Sequence, residues 1–449
     1  MFTFVRCSDA RHSPQRVVVW LNISRMAGTS LKIYSVGPIE RVEIEDLKRI
    51  NVFIGASASG KSTIAKIVSQ LLWCEKAYIT MGVESDFKEQ LTAFHRFSDA
   101  YFTMESYIEY QSPWTTITFQ RSSEKQRRFR TEYRRNEKVF YKNVKIQYIP
   151  AERNFVASIP NLQKYNDSND NVFEFLQDWF ECKRRYKDLR ACYEVSDLDK
   201  MKLQFRTLQD GTLDYVRVES SQVDVELPNC SSGIQSMLPL LLVADAVLDK
   251  DLKKKSFSFN ELQNLRKKAS PEHHSVIDAL NDVSSRESGE ESFAKAVNEL
   301  WQNVGYQGDY SRSFLSVEEP EQNIYPATQR SLVYHLLNRL SESSSLMITT
   351  HSPYILYAFD NALVAGSVRA RASAEKRRTL ESEFPNVPVM YTQRDVAIWL
   401  VENGRIVSLI DPETHCLGEN EFNRQLGVSV DEMAGLYFLL GEAGDEEQK

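Results

Sequence analysis

The sequence predicts a mixed α/β fold with a parallel core sheet, an antiparallel β subdomain and two helical insertions. Three observations predict it. The apolar run Arg49 to Ile54 leads into a glycine-bounded loop and then into helical spacing from Ile64 onward. Two later apolar runs, Phe314 to Val317 and Ser345 to Ile348, end in carboxylates and in Thr-Thr-His, as strands do when a parallel sheet presents its C-terminal edge to a ligand. Leu31 to Val36 and Arg41 to Glu45 alternate apolar and polar residues, as half-buried antiparallel strands do.

The elements follow in order. Residues 1–28 form an N-terminal arm with Arg6, Arg11, Arg16 and Arg25 against Asp9 alone. Its run Val17 to Leu21 is too short for a secretory core, so a disordered arm is expected, or a start placed too early with Met26 as the natural beginning. Residues 29–160 form the first lobe, with strand-like runs at 101–104, 115–119, 138–141 and 144–149. Residues 161–202 are expected as a charged helical insertion, the helix-like stretch being 170–203. Residues 203–247 hold a hairpin around Asp210-Gly211 and then an apolar helix that Pro239 would kink. A second helical insertion is expected at 248–305, the acid-bearing strands at 306–365, and a C-terminal α/β segment at 366–449.

Composition narrows the function. With 449 residues, 42% of them hydrophobic, the chain supports a substantial core, and the length allows about three domains or one large α/β domain with insertions. A net charge of −7 argues against indiscriminate coating of nucleic acid. Six scattered cysteines without a C-x-x-C pair suit reduced thiols in the cytoplasm. No apolar run has the length of a membrane span, so no membrane partner is expected.

The chemistry begins at Gly55-Ala56-Ser57-Ala58-Ser59-Gly60-Lys61-Ser62-Thr63, which fits G-x-x-x-x-G-K-[ST]. Its glycines let the backbone turn several N–H groups toward one phosphate chain, and the following helix adds its positive end. Lys61 can reach the outer phosphates of ATP, and the Ser62 hydroxyl can coordinate Mg²⁺. Glu318 and Glu319 close the run from Phe314: the first would hold the Mg²⁺ shell and the second would orient or deprotonate the attacking water. A strand end capped by solvated charge reads the same way. His351, directly after an apolar strand, can sense a γ-phosphate or serve structure alone. Ser231-Ser232-Gly233 open the apolar helix, either as a second anion-binding N-terminus or simply as its cap.

Taken in order, these parts resemble the ATP-binding cassette (ABC) class of P-loop ATPases. More narrowly, they resemble the branch that includes the bacterial "overcoming lysogenization defect" (OLD)-like and SMC-like proteins. The residues that carry the likeness are the phosphate loop, Gln147 to Arg153, Ser231 to Gly233, Glu318-Glu319-Pro320-Glu321 through Tyr325-Pro326, and Thr350-His351-Ser352-Pro353. The likeness runs from about residue 31 to 360. It implies an ABC-ATPase head, two of which sandwich ATP in a homo-oligomer, with Ser231, Ser232 and Gly233 acting on the nucleotide of the other copy. Glu318 stands where the branch usually has Asp, Tyr325 where His is common, and Ser-Ser-Gly where Ser-Gly-Gly is usual, which puts turnover rate in doubt. The chain also resembles the ATPase subunit of PARIS-type anti-phage (abortive-infection) pairs. That implies a sensor or scaffold with a separate toxin or nuclease effector and a phage trigger. OLD nucleases carry a metal-binding domain after the ATPase; here Asp411-Pro-Glu413 imitates it only thinly.

The alternative is a DNA-repair or recombination ATPase. Residues 121–145 hold ten Lys/Arg against three Glu, interleaved with Phe129, Tyr133, Phe140 and Tyr141. Such a strip can grip a phosphate backbone and stack bases, or be a solvated hairpin face, or dock an acidic partner. A third reading is a nucleotide-gated scaffold with little turnover.

Overall fold

The computed structural model describes residues 28–446, apart from 124–125, 137–140, 159–169, 187–191, 199–200, 209–212, 220–222 and 249–309. Boundary positions aside, the N-terminal arm and the second helical insertion lie outside the described residues.

The chain opens with an antiparallel pair, β1 (Ser30–Val36) and β2 (Ile39–Ile44). Next come β3 (Ile50–Ile54), α1 (Lys61–Met81) and α2 (Phe87–Ala93). Strands β4 (Phe102–Gln111), β5 (Thr115–Ser123) and β6 (Gln126–Arg135) extend the antiparallel half, β4 pairing with β1. After β7 (Val144–Ile149), α3 (Phe155–Ser158) and α4 (Asn171–Lys183) come four short strands. These are β8 (Tyr193–Leu198), β9 (Met201–Leu208), β10 (Leu213–Val218) and β11 (Asp224–Glu226), which form a separate antiparallel sheet. The remaining elements are α5 (Ser232–Leu248), β12 (Arg312–Glu318), α6 (Pro326–Arg339), β13 (Ser344–Thr350), α7 (Pro353–Arg371) and α8 (Ala374–Glu383). Strands β14 (Val396–Glu402) and β15 (Arg405–Ser408) and helix α9 (Glu421–Glu446) complete the chain.

One eleven-stranded sheet organises these parts in the order β6-β5-β4-β1-β2-β15-β14-β3-β13-β12-β7. From β14 to β7 all neighbours are parallel, and every residue of β3, β12 and β13 is buried. Strands covered on both faces read as continuous apolar runs, which is why 50–54 and 314–317 lack alternation. Helix α1 lies on one face, between the parallel core and the antiparallel half, in a cluster that includes Ile64, Val68, Leu71, Ile33 and Met347. Helices α4 to α7 and the four-stranded sheet cover the other face in a second cluster built on Trp179, Phe205, Leu238 and Leu337.

One expectation changes. The stretch 170–203 is α-helical through Lys183; Tyr193–Leu198 and Met201 onward are strands, because Tyr193, Val195 and Leu198 bury themselves against α6 and β9, with the Tyr193 hydroxyl donating to Asp245 on α5. Pro239 lies buried inside helix α5. In the C-terminal α/β segment, β14 inserts beside β3 as part of the same sheet. The β14–β15 turn then bridges to the antiparallel half, where Gly404 O accepts from the amides of Glu40 (2.9 Å) and Arg41 (3.0 Å) and Arg405 pairs with Glu40.

Helix α7 packs so closely on the strand-like segment before β14 that a Cβ on Gly366 would lie 1.8 Å from Tyr391 O. Gly366→Ala is therefore expected to lower unfolding stability by about 1–3 kcal/mol in urea titrations. Gly427→Ala on α9 meets open space and gains about 0.5–1 kcal/mol of local helix stability instead.

Candidate functional site

Register sets the site. Glu318 is level with Thr349 on β13, which is level with Phe53 on β3; one step on, Thr350 is level with Ile54. Gly55, Glu319 and His351 are thus the next residues out of neighbouring strands, at one edge of the sheet, as parallel pairing requires.

The phosphate loop turns at Gly60, whose φ of 107° lies outside what a side chain tolerates, and α1 starts at Lys61. Gly55 is required by space, since a Cβ there would come within 2.3 Å of Val401 O on β14. Lys61 is nearly buried, and its Nζ donates to Gly55 O (3.0 Å) and Ala56 O (2.7 Å). Burial pulls the ammonium down to about 8, against the opposing pull of the Glu319, Glu321 and Glu318 carboxylates. Beside it opens a cavity of about 440 Å³ lined by Ser57, Ala58, Gly60 to Thr63, Glu319 and His351. Pro38, Lys66, His95 to Phe97 and Tyr101 complete the lining.

Glu319 and His351 face each other, with Glu319 Oε1 and His351 Nε2 3.2 Å apart. Glu319 has φ 42°, a strained left-handed conformation for a residue with a side chain, of the kind that persists where surrounding bonds hold it. Here its N–H donates to Thr349 O (2.8 Å) and Gln322 Nε2 donates to its Oε2 (3.0 Å). Glu321 accepts the His351 N–H at 2.6 Å, and burial raises its carboxyl. Ser352 caps α7 by accepting from Tyr354 N and Ile355 N.

Glu318 is 3% exposed; Oε2 receives the Ala151 N–H at 3.4 Å, and Oε1 is buried without a hydrogen-bond partner. A buried carboxylate oxygen left unpaired in this position fits a cation, and Ser62 stands on the cavity wall with a hydroxyl to share it. Those two residues would hold Mg²⁺.

Ser231 and Ser232 are exposed and Gly233 is half-buried at the start of α5. None of them lines the cavity of its own chain. Gly233 lies against Asn323, whose carbonyl a Cβ would approach to 2.9 Å.

Several residues were not legible. Arg153 ends a quoted stretch, yet nothing in its sequence context announces that its side chain reaches the carbonyls of Glu318 (2.7 Å) and Glu319 (2.8 Å). Its place in the short turn Ala151–Asn154 after β7 carries no local signal of that contact. His95 is 2% exposed, with Nδ1 unpaired and its imidazole held neutral by burial. Phe97 and Tyr101 (ring centroids 5.3 Å apart) give the cavity an aromatic wall. These belong to a loop with no motif. In the basic strip the structure corrects one expectation. Phe129 stacks on Phe119 at 5.0 Å and Tyr133 packs on Tyr78, so the aromatics face the core rather than a nucleobase. Tyr141 is buried against Trp114, and Phe140 lies outside the described residues. Asp411 accepts from Glu413 N and Thr414 N, which makes it a turn former.

Phosphate loop, acid pair, strand-end histidine and a serine-glycine helix stand together on this sheet in an arrangement that resembles the heads of ABC-type P-loop ATPases. Residues 193–356 match the AAA_21 family, described as "AAA domain, putative AbiEii toxin, Type IV TA system". No curated protein matches the sequence. Among solved structures, the chain is similar to the SMC head domain from Thermotoga maritima, with 10% identity, 84% of this chain and 97% of that one covered, and a TM-score of 0.32. It is also similar to the recombination mediator RecF with a bound ATP analogue, with 10% identity, 86% and 100% covered, and a TM-score of 0.31. At these scores the likenesses carry no argument of their own.

Because the folded Lys61 releases its proton near 8 while the unfolded lysine holds it to 10.5, only the charged form below about 8 meets a phosphate fully. Nucleotide affinity is therefore expected to be flat from pH 6.5 to 7.5 and to weaken, by up to about tenfold per unit, above 8. Fluorescent-nucleotide titrations across that range check it, and Lys61→Ala should abolish both the binding and its pH dependence.

Proposed function

We propose that the protein is an Mg²⁺-dependent ATPase whose heads associate around ATP, serving as the sensor or scaffold subunit of a cytoplasmic bacterial anti-phage system. The observation that carries the enzymatic part is the Glu319–His351 pair at 3.2 Å across the cavity from Lys61. In this reading the loop amides of Gly55 to Thr63 and the Lys61 ammonium bind the phosphates. Glu319 accepts a proton from the attacking water, and His351 holds Glu319 and senses the γ-phosphate. The metal, held by Ser62 and Glu318, would neutralise charge on the phosphates. Phe97 and Tyr101 supply a surface on which a base stacks. Ser231, Ser232 and Gly233, which are absent from their own chain's cavity, are free to close on the nucleotide of a second copy.

The defence role rests on the resemblance to abortive-infection ATPases. The matched family's description as a toxin–antitoxin component supports it. A separate toxin or nuclease chain would then be held or released according to nucleotide state and a phage trigger. Among the described residues no helix is long and apolar enough to cross a membrane.

Glu319→Gln is expected to cut turnover by about 10²–10⁴-fold while retaining ATP, and to shift the protein to a larger species in size-exclusion chromatography with ATP. Wild-type turnover in this variant would remove Glu319 from the role of base. Lys61→Ala should show neither ATP retention nor the shift.

A second reading, direct DNA engagement, is favoured by one observation. Arg128, Arg130 and Arg134 are exposed on the outward face of β6, the edge strand of the large sheet, with Glu132 between them and paired with Arg130. Reversing these three charges should weaken any salt-sensitive DNA binding and lower its salt slope by about 3. No DNA affinity in 50 mM salt sinks this reading.

A further inference from the structure

Arg153 is the one fully buried arginine among the largest buried side chains, at 0% exposure, and its hydrogen bonds all go to main-chain carbonyls. They come from three separate elements. Nη1 donates to Pro150 O (3.4 Å) after β7 and to Glu318 O (2.7 Å) at the end of β12. Nη2 donates to Glu319 O (2.8 Å), and Nε to Ser236 O (3.2 Å) in the second turn of α5. Burying a guanidinium without a contacting carboxylate is costly, and structures retain it where it fixes several polar groups at once. The cost is visible: burial lowers Arg153 to about 10 despite Glu321, Glu319, Glu318 and Glu152 nearby.

We propose that Arg153 is a positioning residue that couples the Ser-Ser-Gly helix to the acid pair, so that movement of α5 resets the strained backbone of Glu319. The catalytic consequence rests on the proposed ATPase reading; the coupling does not. Ser236 lies one turn from Ser232, and the peptide it shares through Arg153 belongs to the residue with φ 42°. A second copy that pulls on Ser231 to Gly233 therefore pulls, through one rigid planar group, on Glu319. Lysine cannot replace it, because a single ammonium lacks the planar fork that spans three elements.

Hydrogen exchange and turnover test this together. In unliganded Arg153→Lys, peptides covering 318–323 and 232–238 should both exchange about tenfold faster than in wild type, while 55–63 stays unchanged. Acceleration of only one of the two peptides overturns the coupling. In wild type, a non-hydrolysable ATP analogue with Mg²⁺ should slow both peptides at the same nucleotide concentration; a response of 318–323 without 232–238 overturns it too. That arm decides the matter should the variant fail to fold. In turnover, Arg153→Lys should lose roughly 10–100-fold with nucleotide Kd within about twofold of wild type. Arg153→Lys/Glu319→Gln should be no slower than Glu319→Gln, and additive losses overturn action through Glu319. If the analogue leaves 55–63 unprotected in wild type, the nucleotide reading fails, and the unliganded comparison still decides the coupling.

Discussion

Parallel pairing of β3 with both β13 and β14 is the constraint on which the site depends. Parallel strands carry their connections across a face of the sheet, so all of them release their C-terminal ends on one side. With Ile54 and Thr350 in register, and Glu318 one level back, three loops of different sequence emerge at one cavity. Slipping any of these pairings by one residue would turn the strand's side chains to the opposite face and move its catalytic candidate away from Lys61.

Around that edge the charges are arranged under strong desolvation. Three carboxylates, Glu318, Glu319 and Glu321, share a partly dry edge with Lys61 in front and Arg153 behind. Both bases are lowered by burial, which means that the fold holds them at a cost offset only in part by the acids. An anionic ligand bound to the loop strengthens the charged form of Lys61 and draws it from the Gly55 and Ala56 carbonyls. Glu318, with one oxygen already tied to Ala151 N and the other unpaired, stands ready for a cation. The arrangement is complementary to a metal–polyphosphate pair rather than to either ion alone.

Much of this was legible locally. The phosphate loop, the strand-Glu-Glu and strand-His endings and the antiparallel opening pair each depend on short-range patterns, and the structure contains all of them. Misreadings arose where tertiary burial overrode local appearance. The charged stretch at 193–202 forms strands because its apolar residues meet α6 and the neighbouring strand, and Phe129 and Tyr133 turn inward because β6 needs one apolar face. The basic residues of that strand were visible as a charge run, but only strand alternation showed which of them share the open face.

The sequence by itself determined the ligand chemistry, since glycines, lysine, hydroxyls and carboxylates at fixed spacing act through backbone geometry within a few residues. It also determined that the strands carrying them are buried. Only the tertiary structure decided that β14, nearly 350 residues after the phosphate loop, walls Gly55, and that Arg153 joins β7, β12 and α5. These contacts link residues far apart in the chain, and their existence depends on which strand neighbours which, a quantity no local pattern encodes.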